Sequence, residues 1–81
     1  MTGEALAPLL PVMEKLGFTA EFVERNILER PGRVTVSQTA MLWQGMPNKH
    51  DRKRTRQLLD AMAEAGLLRL EDADEGVFVR T

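Results

Sequence analysis

Asn48 to Gly66 reads NKHDRKRTRQLLDAMAEAG, and the way this stretch folds decides the rest of the chain. Thr55, Leu58, Leu59, Met62 and Ala65 recur at three- and four-residue intervals, the period of an amphipathic helix. Asn48 is suited to cap that helix, Asp51 stands three residues on as its capping partner, and Gly66 ends it. Lys49, His50, Arg52, Lys53, Arg54 and Arg56 crowd into its first half, while Asp60 and Glu64 occupy its second. That order opposes the helix dipole, at about 0.3 kcal/mol or more for each misplaced charge. An external anion would relieve it.

At about 100° per residue, Lys49, Lys53, Arg56, Gln57, Asp60 and Glu64 fall opposite the apolar stripe, with His50 beside them. Arg52 and Arg54 flank the stripe. One basic face between two border arginines is the footprint of a helix that enters a groove of nucleic acid. The plainer reading is a solvated charged face, but segregation of sign along one helix favours nucleic acid. Lys49, Lys53 and Arg56 are then expected to face the groove, and Arg52 and Arg54 to reach phosphates. Gln57 is placed to read adenine through its amide.

Downstream, Leu67–Leu70 and Val77–Arg80 enclose the polar run Glu71-Asp72-Ala73-Asp74-Glu75-Gly76 and read as a β-hairpin. Upstream, Val34-Thr35-Val36 reads as a short strand. Ser37 is expected to cap a helix from Gln38 to Gln44, with Ala40, Met41, Leu42 and Trp43 as its apolar residues. Gly45-Met46-Pro47 separates that helix from the basic one. Thr19 is suited to cap a helix over residues 20–30, which Pro31-Gly32 stops. Leu6, Leu9, Leu10, Met13 and Leu16 form an earlier helical stripe that Pro8 and Pro11 kink or delay. Strands 34–36, 67–70 and 77–79 are expected to join in one sheet. Its apolar faces would come from Val34/Val36, Leu68/Leu70 and Val77/Val79.

The chain has 81 residues, enough for a single core, and 43% hydrophobic residues, which argues against disorder. It has no cysteine and one histidine, which excludes disulfides and thiolate metal sites. No apolar run is long enough to span a bilayer, so a cytoplasmic protein without membrane contact is expected. The net charge of −1 hides an asymmetry: residues 49–56 hold five Lys or Arg against one acid, the remainder six against eleven. Local field, not net charge, governs binding to an anion. Ser37, His50 and the scattered acids form no catalytic signature, and no Gly-rich phosphate loop occurs, so neither an enzyme nor a cofactor is expected.

Helix, strand at Val34–Val36, helix at Ser37–Gln44, helix at Asn48–Ala65, then AGLLRLEDADEGVFVRT to Thr81: this order resembles the winged helix-turn-helix family. The likeness covers residues 19–81 as the winged helix domain and leaves residues 1–18 as an N-terminal helical extension. It implies an α+β, mainly α fold with a small three-stranded antiparallel sheet. It also implies a recognition helix in the major groove of double-stranded DNA and a supporting helix, with Ser37 at its start, against the backbone. The segment between the last two strands departs from many members of the family. Glu71, Asp72, Asp74 and Glu75 stand there with no Lys or Arg, which phosphates would repel.

The resemblance implies a small transcriptional regulator, or a module of replication or plasmid maintenance. From another class comes a protein-interaction adaptor that uses the acidic wing on a protein partner. One short helix reads few base pairs, so a homodimer is expected, with the Leu6–Leu16 stripe as its interface. The other reading of that stripe is that it completes the monomer's own core.

Overall fold

The computed structural model describes residues 6–29 and 32–81 of the chain. Two prolines set where its first helix begins. Pro8 lies in a 3-10 turn, Ala7–Leu9, and Pro11 falls in the first turn of α1, Leu10–Leu16, where its missing N–H leaves nothing unpaired. The start of α1 is therefore delayed. Gly17, at φ 85°, ends the helix and donates its N–H to Glu14 O.

Thr19 caps α2, Ala20–Val23, by accepting from Phe22 N at 3.1 Å. The helix then widens into a π-helical turn, Glu24–Leu28, closed by Glu29 N on Glu24 O at 2.8 Å. Here the Asn26 side chain donates to Phe22 O at 3.2 Å. Residues 30 and 31, where that helix is expected to end, lie outside the described residues.

Strand β1 is Val34–Thr35, shorter than the three residues expected, because Val36 already belongs to α3, Val36–Gln44. Ser37 does not cap that helix. Thr35 Oγ1 accepts from Gln38 N at 3.0 Å and does so. One residue thus ends the strand and opens the helix, which puts Ser37 inside the first turn. Asn48 and Asp51 form the expected capping box at the start of α4, Lys49–Glu64, with contacts of 2.9 and 3.0 Å.

Strands β2, Leu68–Asp72, and β3, Val77–Arg80, complete a three-stranded antiparallel sheet in the order β1-β3-β2. The fold is α+β and mainly helical. Val34 and Leu70 both pair with Phe78, so these three share one side of the pleat. Phe78 is fully buried and Val77 and Val79 only partly, so the inward face of β3 is one residue out of step with the expected Val77/Val79 face. A bulky aromatic between two valines reverses which parity the core takes. Glu71 is the extra residue of a bulge between Leu70 and Asp72, which carries β2 two residues past its expected end.

One core joins the elements. Leu6, Leu9 and Met13 lie in it with Val23, Ile27, Val34, Leu58, Leu59, Met62, Leu68 and Phe78. Among the described residues of the N-terminal segment, Leu6, Leu9, Met13 and Phe18 share one core with residues of the 19–81 stretch. Leu6, Leu9 and Met13 lie in the chain's own interior, and among the described residues of the segment Leu10 and Val12 are the exposed large apolar ones. Because Phe78 is enclosed by both neighbouring strands, Phe78→Ala is expected to cost about 3–5 kcal/mol in urea unfolding. Val79→Ala, on the outer side, should cost about 1 kcal/mol.

Candidate nucleic-acid interface

Helix α4 is held from its first turn onward. The Asp51 carboxylate is buried, and its Oδ2 accepts from Asn48 N at 3.0 Å and Gln44 Nε2 at 3.3 Å. Four residues on, the Thr55 hydroxyl donates to Asp51 O at 2.8 Å and accepts from Trp43 Nε1 at 2.9 Å. These contacts engage Asp51 and Thr55 on the buried side of α4 and fasten α3 to it. Trp43 also meets Phe18 edge-on at 5.1 Å between ring centroids, so it is a packing residue.

With that side fixed, the opposite side is determined by helical period. Lys49, His50, Arg52, Lys53 and Gln57 are exposed, as are Asp60 and Glu64 further along. Among the described residues, Lys49, Arg52 and Lys53 take part in no salt bridge. Three cations without counterions therefore stand on the first two turns of a helix, at its positive end. The same turns provide the cap, so the only acid among them, Asp51, is committed inward.

The two other arginines of the basic run are occupied. Arg54 is half-buried and donates through Nη2 to Leu16 O, with its guanidinium 5.1 Å from the Trp43 ring centroid. Arg56 donates through Nη1 to Ala73 O at 3.1 Å and through Nε to Asp60 at 3.2 Å, and lies 5.7 Å from the Phe78 ring. Sequence spacing gave Arg54 to phosphate and Arg56 to the groove. Their observed partners are the C-terminal carbonyl of α1 and the turn between β2 and β3. The one signal that bore on Arg54 was its border position beside Leu58, which is compatible with either role.

Ser37 is exposed in the first turn of α3, and no hydrogen bond involves its side chain among the described residues. The hairpin turn after β2 is acidic and exposed at Asp72, Asp74 and Glu75, and Asp72 Oδ1 accepts from Glu75 N at 3.1 Å. Glu71 pairs with Arg33 at 2.6 Å. Since Arg56 bonds Ala73 O, this acidic turn flanks the middle of α4, and the free cations lie towards the helix start. Among the described residues there is no cavity to enclose a small molecule and no group of three His, Asp or Glu disposed to hold a metal. No described helix is long and apolar enough to cross a membrane.

Comparisons with protein-family models, with curated proteins and with solved structures each returned no match.

The presentation of the cations depends on the capping box. Asn48→Ala removes the acceptor for Asp51 N and is expected to cost about 1 kcal/mol in chemical unfolding. The first-turn amides of α4 should then exchange faster than those around Leu58 and Leu59.

Proposed function

We propose that this chain is a winged helix-turn-helix protein that binds double-stranded DNA, with the first half of α4 presented to the major groove. The observation that carries the reading is the exposed trio Lys49, Arg52 and Lys53, free of counterions on a helix whose opposite side is fixed in the core. The order helix, β1, helix, α4, hairpin and the three-stranded antiparallel sheet support it, since the resemblance implies both. His50 and Gln57 are exposed on the same side, and Gln57 offers an amide for bidentate pairing with adenine. Ser37, at the start of α3, is suited to a phosphate contact.

The biological role in this reading is that of a small transcriptional regulator or a replication or plasmid-maintenance module in the cytoplasm, without catalysis. Pairing of two copies belongs to the reading on general grounds, because one helix of this length reads few base pairs. With Leu6, Leu9 and Met13 enclosed, a contact through the N-terminal segment would have Leu10 and Val12 to offer. The second reading, an adaptor that binds a protein through its wing, is favoured by one feature: Asp72, Asp74 and Glu75 are exposed and no cation accompanies them in the turn.

Duplex binding followed by fluorescence anisotropy through a salt series separates the two. Wild type is expected to bind random duplex with affinity that falls as salt rises. The triple variant Lys49→Ala/Arg52→Ala/Lys53→Ala should lower the log–log slope by about two to three units. Unchanged binding by the triple variant would remove the DNA reading and leave the adaptor in front.

A further inference from the structure

The basic run of α4 divides into two sets that its sequence does not distinguish. Lys49, Arg52 and Lys53 point to solvent, while Arg54 and Arg56 are half-buried against other elements. We propose that Arg54 and Arg56 are positioning residues, two braces that fix α4 between the N-terminal helix and the wing turn, so that anion contact falls to Lys49, Arg52 and Lys53. What α4 is positioned towards rests on the DNA reading above.

The seat of Arg54 is assembled from three elements. Leu16 is the last residue of α1, and its carbonyl is among those a helix leaves unpaired at its negative end. Nη2 donates to that oxygen while the guanidinium plane lies near the Trp43 ring from α3. Gly17 makes room: a Cβ there would stand 2.6 Å from Nη2. A guanidinium can donate in its plane and stack on its face at once, which an ammonium does less well.

Arg56 repeats the pattern on the other flank. It bonds the wing through Ala73 O, its own helix through Asp60, and lies near the ring of Phe78 in β3. Gly76 is close by, with Nη1 3.8 Å from the place of a Cβ. Two positions apart on a helix are about 200° apart around its axis, so the braces act from opposing flanks. A phosphate that recruited either guanidinium would have to strip it from a carbonyl and an aromatic ring.

The test compares wild type with Arg54→Ala, Arg54→Lys, Arg56→Ala and Lys53→Ala on random duplex DNA through a salt series. Two readouts are taken without DNA: emission of Trp43, the single tryptophan, and exchange of the Gly17 and Phe18 amides. Lys53→Ala is expected to lower the salt slope by about one unit. Arg54→Ala and Arg56→Ala should weaken binding about threefold to tenfold with the slope unchanged. Arg54→Ala should also shift Trp43 emission and speed exchange at Gly17 and Phe18. Arg54→Lys keeps the charge and the aliphatic stem, so it guards against misfolding, and it should leave affinity reduced.

A slope lowered by about one unit in Arg54→Ala, or full affinity in Arg54→Lys, would overturn the assignment of Arg54, because charge alone would then suffice. The same slope loss in Arg56→Ala would overturn that of Arg56. Unaltered Trp43 emission and amide exchange in Arg54→Ala would overturn the brace itself. Wild type without affinity for duplex would overturn the DNA reading, and emission and exchange would still decide whether the brace exists.

Discussion

The joint between α3 and α4 rests on a pair of polar side chains in a mostly apolar interior. Asp51 and Thr55 are one turn apart on the buried side of α4, where hydrophobic residues would be the simpler choice. Burying a carboxylate is costly unless hydrogen bonds offset it, and Asp51 Oδ2 accepts two, from Asn48 N and Gln44 Nε2. Thr55 passes the connection on, donating to the Asp51 carbonyl and accepting from Trp43. Because hydrogen bonds have direction and apolar contacts do not, these few bonds set how α4 lies against α3. Everything exposed on α4 is exposed as a consequence.

Much of this was legible because it is local. The Asn48–Asp51 box, the period of Leu58, Leu59 and Met62, and the glycine that ends α1 are each decided within a few residues of sequence. The hairpin was legible too, since two apolar runs around a polar, glycine-ended loop have few other folds. The misreadings were local ties that tertiary contact broke. Thr35 and Ser37 are equally able to cap a helix, and pairing of Thr35 with Val77 placed the strand end, and hence the cap, at the earlier one. In Val77-Phe78-Val79 both parities are apolar, so alternation alone could not say which one the core would take.

The partition of the basic run was not legible at all. Arg54 finds its acceptor 38 residues upstream and Arg56 finds one 17 residues downstream, and a long flexible side chain on a helix border reaches either way. The helical wheel gave Arg56 to the free face and Arg54 to the margin, which describes where their Cβ atoms start and not where their guanidinium groups end. Glycine is a partial clue in retrospect. Gly17 serves both as a helix end and as open space beside Nη2, and only the first of these uses leaves a sequence signal.

Arg56 also resolves the apparent conflict between an acidic wing and a basic helix. By bonding Ala73 O it draws the turn with Asp74 and Glu75 alongside α4, beside its own ion pair with Asp60. A polyanion approaching the middle of the helix meets Asp74 and Glu75, whereas at the first two turns it meets Lys49, Arg52, Lys53 and the positive end of the dipole. The acids therefore sharpen the field of the helix along its length and restrict how an anion can be oriented on it. The acidic turn is in this sense part of the same electrostatic arrangement as the basic run.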